Sequence, residues 1–242
     1  MNYRDHLYRF YATARSNTLA PETVAGLAPR AAYLQRLICH YFPTDKDAAI
    51  VDLGCGHGAL VYFARRAGYR HIIGFDRSPE QVWAASRLGI EEVRLGDLFE
   101  ALHSLADGSQ DMVIAFDVIE HFQRQELVPF AQAVCRVLRP GGRWIVHTPN
   151  GESPFVGRIR YGDLTHELAF TRESFSQLCL SCGFSQVRCY EDAPVVHGTT
   201  SAARYLAWKV IRGFLRFYLA AETGDTSRSA IFSQNLLAVA VK

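Results

Sequence analysis

The chain predicts a doubly wound α/β domain, a mostly parallel sheet with helices on both faces, and three observations predict it. Residues 50–58, Ile50-Val51-Asp52-Leu53-Gly54-Cys55-Gly56-His57-Gly58, run an apolar strand into an acid and then three glycines at alternate positions. Between residues 49 and 148, short apolar runs alternate with amphipathic helical patterns, the mark of parallel strands joined by right-handed crossovers. The chain closes on a further strand pattern, Asn235–Val241, about forty residues beyond the strand before it, which is too long for a plain connection.

In chain order, residues 1–45 read as an N-terminal helical cap, with aromatics at Tyr3, Tyr8, Phe10 and Tyr11 and a second helical segment from Pro29 to Phe42. The core spans 46–191. Its strands are expected at 49–53, 71–75, 92–95, 111–116, 143–148 and 184–190, each a short apolar run between polar or glycine-containing segments. Its helices are expected at 58–67, 79–87, 124–138 and 171–182, from apolar residues at helical spacing, with a short turn at 98–103. Arg139-Pro140-Gly141-Gly142 reads as a tight turn. Residues 192–231 form an inserted helical subdomain, and 232–242 return to the core as its last strand. In the inserted helix, 202–220, Arg204, Lys209, Arg212 and Arg216 share one arc, while Leu206, Val210, Ile211, Phe214, Phe217 and Tyr218 cover the opposite side. The plain expectation is that the apolar side docks on the sheet domain or on a second copy, giving a homodimer. The sharper one is contact with an anionic membrane surface through 202–220.

Of the 242 residues, 49% are apolar and 21% charged, with a formal net charge of +2, so charge gives no argument for nucleic acid. No uninterrupted run approaches the roughly 18 apolar residues of a membrane span. The opening Met1-Asn2-Tyr3-Arg4-Asp5-His6 lacks the apolar centre of an export signal, and a cytoplasmic location is expected. The six cysteines sit mostly in apolar patterns, as reduced thiols do. Cys179-x-x-Cys182 lacks a second ligand pair at zinc spacing and reads as core packing at a helix end.

The glycine turn brings bare backbone against a ligand. Asp76, at the tip of the second strand, can accept two hydrogen bonds from a ribose diol. The spacing Gly54-x-Gly56-x-Gly58 lacks the third glycine of a pyrophosphate-binding loop, which disfavours a dinucleotide. Asp52, just before the first glycine, would repel a pyrophosphate and favours a cofactor with a cationic amino-acid end.

The ordered set Val51-Asp52-Leu53-Gly54-Cys55-Gly56, Gly74-Phe75-Asp76-Arg77-Ser78, Gly96-Asp97-Leu98, Phe116-Asp117-Val118-Ile119-Glu120-His121 and Leu138-Arg139-Pro140-Gly141-Gly142 resembles class I S-adenosylmethionine-dependent methyltransferases. That resemblance implies a seven-stranded Rossmann-like sheet with an antiparallel last strand, and S-adenosyl-L-methionine as cofactor with S-adenosyl-L-homocysteine as product. It also implies that Asp52 and the backbone of Gly54, Cys55, Gly56 and Gly58 hold the methionine end. Asp76 would take the ribose, with Arg77 beside the adenine. Asp97 would meet the adenine amino group and Leu98 its ring, while backbone at Phe116 and Asp117 would close the pocket below the sulfonium. Asp97 reads equally as a helix cap, and Leu98 as plain core. The segment Leu27-Ala28-Pro29-Arg30 is similar to one in quinone-precursor O-methyltransferases, where an arginine reaches the cofactor carboxylate. This implies such a role for Arg30.

A hydroxyl acceptor needs a general base. The candidates are His166, in Tyr161-Gly162-Asp163-Leu164-Thr165-His166-Glu167, and then His121 beside Asp117 and Glu120. Asn150, Tyr161 and Asp163 are the candidate acceptor contacts. Asp163-x-x-His166 offers a divalent metal two ligands with no third marked out, so no metal is expected. The stretch Thr148–Pro154 with Asp163–Glu167 and the late helix resembles bacterial methyltransferases of polysaccharide and lipopolysaccharide biosynthesis, implying a glycan or other small-molecule acceptor. The rivals are a lipophilic phenol, a non-catalytic cofactor-binding module, and a dehydrogenase. Phe116-Asp117-Val118-Ile119 lacks the Asn/Asp-Pro-Pro-aromatic turn that grips an extruded nucleic-acid base.

Overall fold

A computed structural model describes residues 6–7, 20–227 and 229–242. The aromatics Tyr3, Tyr8, Phe10 and Tyr11 lie outside the described residues. A 3-10 turn, Val24–Leu27, leads into the helix α1 (Ala28–Tyr41), which has Pro29 in its first turn, where the missing N–H costs nothing. Seven strands follow: β1 (Ala49–Leu53), β2 (His71–Asp76), β3 (Val93–Leu95), β4 (Gln110–Phe116), β5 (Leu138–Pro149), β6 (Gln186–Glu191) and β7 (Asn235–Val241). They form one sheet in the order β3-β2-β1-β4-β5-β7-β6. The pairings among β3, β2, β1, β4 and β5 are parallel, and β7 runs antiparallel to both neighbours, as the resemblance implied.

The crossovers are α2 (Ala59–Arg66), α3 (Pro79–Arg87), α4 (Leu98–Ser104) and α5 (Arg124–Val137); α6 (Val156–Arg160) and α7 (Arg172–Ser181) follow β5. Strand residues alternate between two cores. Val51, Leu53, Val113, Trp144 and Val146 pack with Phe130 and Phe175 on one side, while Ile50, Met112, Ile114, Ile145 and Val239 pack with Leu34 and Leu37 of α1 on the other. The strand order reverses between β1 and β4, and that opens a crevice at their C-terminal ends.

Two expectations fail. Arg139–Gly142 is no hairpin-like turn but the bulged opening of β5, where the register against β4 shifts between Gln110 and Met112. Gly141 takes up the bulge at φ +78°, and Lys242 extends the pairing through bonds with Gly141 and Gly142. The inserted helix, α8 (Thr199–Thr223), does not dock its apolar side on the sheet domain, one of the placements expected for that side. Ser201, Tyr205, Trp208 and Arg212 face the body, where Arg212 pairs with Glu191 of β6 at 3.6 Å and lies over the Trp208 ring. Leu206, Val210, Ile211, Phe214, Phe217 and Tyr218 point outward, each more than half exposed and Phe217 74%. No helix among the described residues is long and apolar enough to cross a membrane.

Candidate active site

The glycine turn after β1 takes the left-handed backbone that its sequence suggests: Gly54, Gly56 and Gly58 have φ of +73°, +57° and +78°. Its glycines do different work. A Cβ on Gly54 would lie 2.5 Å from Val118, and one on Gly58 2.6 Å from Val93, so these two permit close packing of the turn. A Cβ on Gly56 would meet only the Gln81 side chain, at 3.8 Å. That position is open, and Gln81 Oε1 is buried there without a hydrogen-bond partner. The next strand closes the turn. Gly54 and Cys55 donate their N–H groups to Phe75 O, and Gly56 N–H donates to Asp76 Oδ2 at 2.7 Å. Ser78 N–H donates to Asp76 Oδ1 at 2.8 Å. Cys55 points its thiol against Gly74, where a Cβ would sit 2.6 Å from the sulfur.

Burial, then the nearby Asp76 charge, pushes the Asp52 carboxyl up to about 8, with Arg30 pulling the other way. Burial likewise raises Asp76, against the Ser78 and Gly56 N–H groups. Arg30 is exposed, and its charge is felt at both Asp52 and Asp117, which puts it on the crevice side of α1. Asp97 caps α4: its Oδ1 accepts from Phe99 N–H at 2.9 Å and Glu100 N–H at 3.4 Å. Leu98 is half-buried and Arg77 exposed.

At the tip of β4, Phe116 is half-buried and Asp117 takes φ +54°, the only non-glycine residue in the left-handed region among those described. Its N–H donates to His147 O, and its Oδ1 lies 2.7 Å from His147 Nδ1. Sequence reading missed His147. It ends the apolar run Trp144-Ile145-Val146 and so looks like plain strand; the available signal was that this end of β5 lies beside the end of β4. Its ring stacks on Phe116, and Nε2 lies 3.3 Å from Asp192. Burial opposes a charge on this imidazole, but the Asp117 carboxylate outweighs it, Asp192 adds to that, and the group is pushed up to about 10. His147 is therefore an imidazolium at neutral pH, not a base.

Beyond β4, Glu120 and His121 are buried in a short 3-10 turn, Ile119–His121. The loop after α6 folds onto them, since Glu120 O accepts from Glu167 N–H and Leu168 N–H at 2.7 and 3.0 Å. This brings His166 to His121, ring centroids 4.7 Å apart, with His166 Nε2 4.0 Å from Glu120 Oε1 and 3.9 Å from Asp163 Oδ2. Burial, then the Asp117 charge, pushes Glu120 up to about 8. Burial, then His166, pushes His121 down to about 4. Asp163 is buried and accepts from Thr165, whereas Tyr161 projects into solvent. Asn150 is corrected from acceptor contact to scaffold. It is fully buried, its Nδ2 donates to Ile231 O and Ser233 O, and its Oδ1 accepts from Glu152 N–H.

A doubly wound sheet with this turn at its switch point and an antiparallel last strand defines the class I methyltransferase fold. Residues 51–146 match the family model described as a methyltransferase domain, and residues 2–95 one described as a predicted AdoMet-dependent methyltransferase. These stretches are similar to such a domain, and the cofactor that such domains use is S-adenosylmethionine. Over 140 residues the chain is 32% identical to a probable S-adenosylmethionine-dependent methyltransferase of Mycolicibacterium smegmatis, covering 56% of this chain and 51% of that one. Over 149 residues it is 30% identical to norajmaline N-methyltransferase of Rauvolfia serpentina, covering 59% and 50%. The chain thus spans about half the length of these curated relatives. In fold it is similar to a SAM-dependent methyltransferase of Archaeoglobus fulgidus, with a TM-score of 0.66, 19% identity, and 98% of this chain and 100% of that one covered. It is also similar in fold to phosphoethanolamine N-methyltransferase 2 of Haemonchus contortus, crystallised with phosphomonomethylethanolamine and S-adenosylhomocysteine. There the TM-score is 0.63 at 16% identity, with 100% of this chain and 60% of that one covered.

The raised His147 makes a prediction with a definite sign. A histidine whose folded pKa lies above its unfolded value of about 6.5 stabilises fully below that value and loses its contribution as pH rises towards about 10. In a ¹⁵N titration the His147 ring should stay charged at pH 8, and Asp117→Asn should bring its titration down. A ring that deprotonates below pH 7 in the wild type refutes the Asp117 pairing.

Proposed function

We propose that the protein transfers the methyl group of S-adenosylmethionine to an oxygen of an acceptor lodged above the ends of β4 and β5, a hydroxyl of a sugar or glycolipid precursor. The observation that carries the reading is the open cradle at Gly56, flanked by the orphaned Gln81 Oε1, the Asp76 carboxylate and the buried Asp52. In this reading Asp52 and the turn backbone hold the amino-acid end, joined by Arg30 at the cofactor carboxylate. Asp76 accepts from the ribose, and Asp97 and Leu98 border the adenine, with Arg77 at its outer edge. Phe116 and Asp117 floor the pocket, braced by His147.

Bound S-adenosylmethionine supplies an electrophilic methyl on a sulfonium. The chain's share is alignment, which is worth several kcal/mol, and removal of the acceptor proton. The ends of β4 and β5 would hold the acceptor oxygen towards that methyl, and its proton would be taken within the cluster of Glu120, His121, Asp163 and His166. His166 Nε2 lies 4.0 Å from Glu120 Oε1 and 3.9 Å from Asp163 Oδ2. An amine already in its neutral form attacks without a base whereas a hydroxyl requires one, which favours oxygen over nitrogen.

A lipophilic phenol is the second acceptor reading, and the outward apolar face of α8 favours it. That face, with Arg204 and Lys209 exposed on the same helix, supports peripheral contact with an anionic membrane. The basic residue Arg212, turned inward onto Glu191, is not part of this contact.

Three measurements test these readings. In calorimetry, cofactor affinity should fall by up to about tenfold per unit as pH drops from 8 to 6, because free Asp52 holds a proton that a cationic ligand must expel. Asp52→Asn should abolish that proton release, and Asp76→Ala should weaken binding by about 1.5–3 kcal/mol; pH-independent affinity in the wild type speaks against the Asp52 role. With labelled donor and pools of nucleotide sugars, lipid-linked glycans and phenols, mass spectrometry should find a methyl ether. His166→Ala should lower turnover on the order of a hundredfold at unchanged cofactor affinity, and label on nitrogen alone discards the oxygen acceptor. Wild-type protein should float with anionic vesicles while Phe214→Glu/Phe217→Glu stays behind. Equal flotation removes the membrane reading.

A further inference from the structure

We propose that Glu120, His121 and His166 form a binding site for one divalent transition-metal cation. The inference deepens the acceptor reading above and rests on it only for the cation's role, not for its binding. Sequence spacing marks Asp163 and His166 as two ligands and no third. The fold supplies a different set, because the loop after α6 is bonded through Glu167 N–H and Leu168 N–H to the carbonyl of Glu120. The ligand atoms of Glu120, His121 and His166 then lie within 4.8 Å of one another.

Three features separate this cluster from an ordinary buried polar group. Glu120 is fully buried, yet its Oε1 has no hydrogen-bond partner, while Oε2 accepts from the Thr148 hydroxyl at 3.0 Å. A buried carboxylate oxygen left in this state is costly unless a cation or donor meets it. Both histidines have their Nδ1 side occupied by groups that orient the ring. His166 Nδ1 donates to Ile159 O at 3.0 Å. His121 Nδ1 lies 2.9 Å from Thr165 Oγ1, whose own proton goes to Asp163 Oδ1 at 2.6 Å. The threonine must therefore accept from His121, and each imidazole carries its lone pair on Nε2. Histidines bound through one nitrogen and oriented through the other are the usual arrangement at metal centres.

Two imidazoles and one carboxylate select Mn²⁺, Fe²⁺, Co²⁺ or Zn²⁺ over Mg²⁺ or Ca²⁺, which prefer all-oxygen sets. Bonds of about 2.1 Å would space the ligands about 3–3.5 Å apart, so the side chains draw in by roughly an ångström on loading. Three protein ligands leave positions open for an acceptor hydroxyl. There the cation lowers the hydroxyl's pKa and its proton passes to Asp163. The oxygen then bonds to the methyl carbon as the carbon–sulfur bond breaks, with its electron pair staying on sulfur. In this arrangement His166 acts as a ligand and Asp163 receives the proton.

The test uses the whole chain, stripped with chelator and titrated with Co²⁺. We expect one equivalent to bind with visible d–d absorption, and Glu120→Gln and His166→Gln each to lose at least tenfold in affinity. His71→Gln, a surface histidine, should bind as wild type does. Absence of stoichiometric Co²⁺ binding at millimolar concentration, or unchanged binding in both cluster variants, overturns the site. Should those variants fail to fold, X-ray absorption of the wild-type Zn²⁺ complex decides: two imidazoles in the coordination shell support the site, and none overturns it. Methyl transfer at an undiminished rate by chelated enzyme leaves the function standing and removes the cation's role. Cobalt binding without cofactor binding removes the function and leaves the site.

Discussion

The structure depends on one constraint: between Leu53 and Ala59 the chain must turn back within van der Waals contact of its neighbours. Side chains at Gly54 and Gly58 would collide with Val118 and Val93. Because those glycines let the turn sit low, the Gly56 N–H reaches the Asp76 carboxylate on the adjoining strand. That bond, with those from Gly54 and Cys55 N–H to Phe75 O, couples the ligand-facing turn to the tip of β2. The sheet order then puts the tip of β4, with Asp117, on the other side of the same crevice.

Asp117 shows how the second wall is held. A non-glycine residue in the left-handed region costs about 1–2 kcal/mol. It is kept there by two bonds to one residue, its N–H to His147 O and its carboxylate to the His147 ring. The charge on His147 is in turn sustained by Asp117 and Asp192. β5 therefore fixes the conformation of the strand end beside it, and the imidazolium stands between two acids instead of serving as a base.

The parts of this molecule that were legible in sequence are those set by local rules. Strand periodicity, the glycine turn, the Pro79 and Thr171 helix starts and the antiparallel last strand follow from spacing or from a resemblance carried by contiguous motifs. The parts that were not legible depend on contacts between distant segments. His147 acquires its charge only because β5 lies beside β4. Asn150 becomes scaffold only because residues 231–233 return across it. The helix wheel of α8 was read correctly as two faces, but of the placements expected for its apolar side, docking on the sheet domain fails. Hydrophobicity alone sends Phe214 and Phe217 inward, whereas Glu191, Tyr205 and Trp208 provide a partner and a flat surface that draw Arg212 in. The same limit hid the Glu120–His121–His166 cluster, whose members are separated by 45 residues of chain between His121 and His166.

The charge balance of the site ties these elements together. Asp52, Asp76, Asp117, Glu120 and Asp163 surround one crevice, facing His147 and Arg30 as the fixed cations described there. Burial pushes Asp52 up to about 8, so a positive ligand placed beside it would displace its proton. A pocket built this way is poorly suited to phosphate-rich cofactors. It is suited to a sulfonium that also carries an ammonium, placed near Asp52. At Glu120, 68 residues further along the chain, one oxygen accepts from Thr148 and the other has no hydrogen-bond partner. In the proposed reading the cofactor's ammonium meets the first acid, and a cation held with His121 and His166 meets the second.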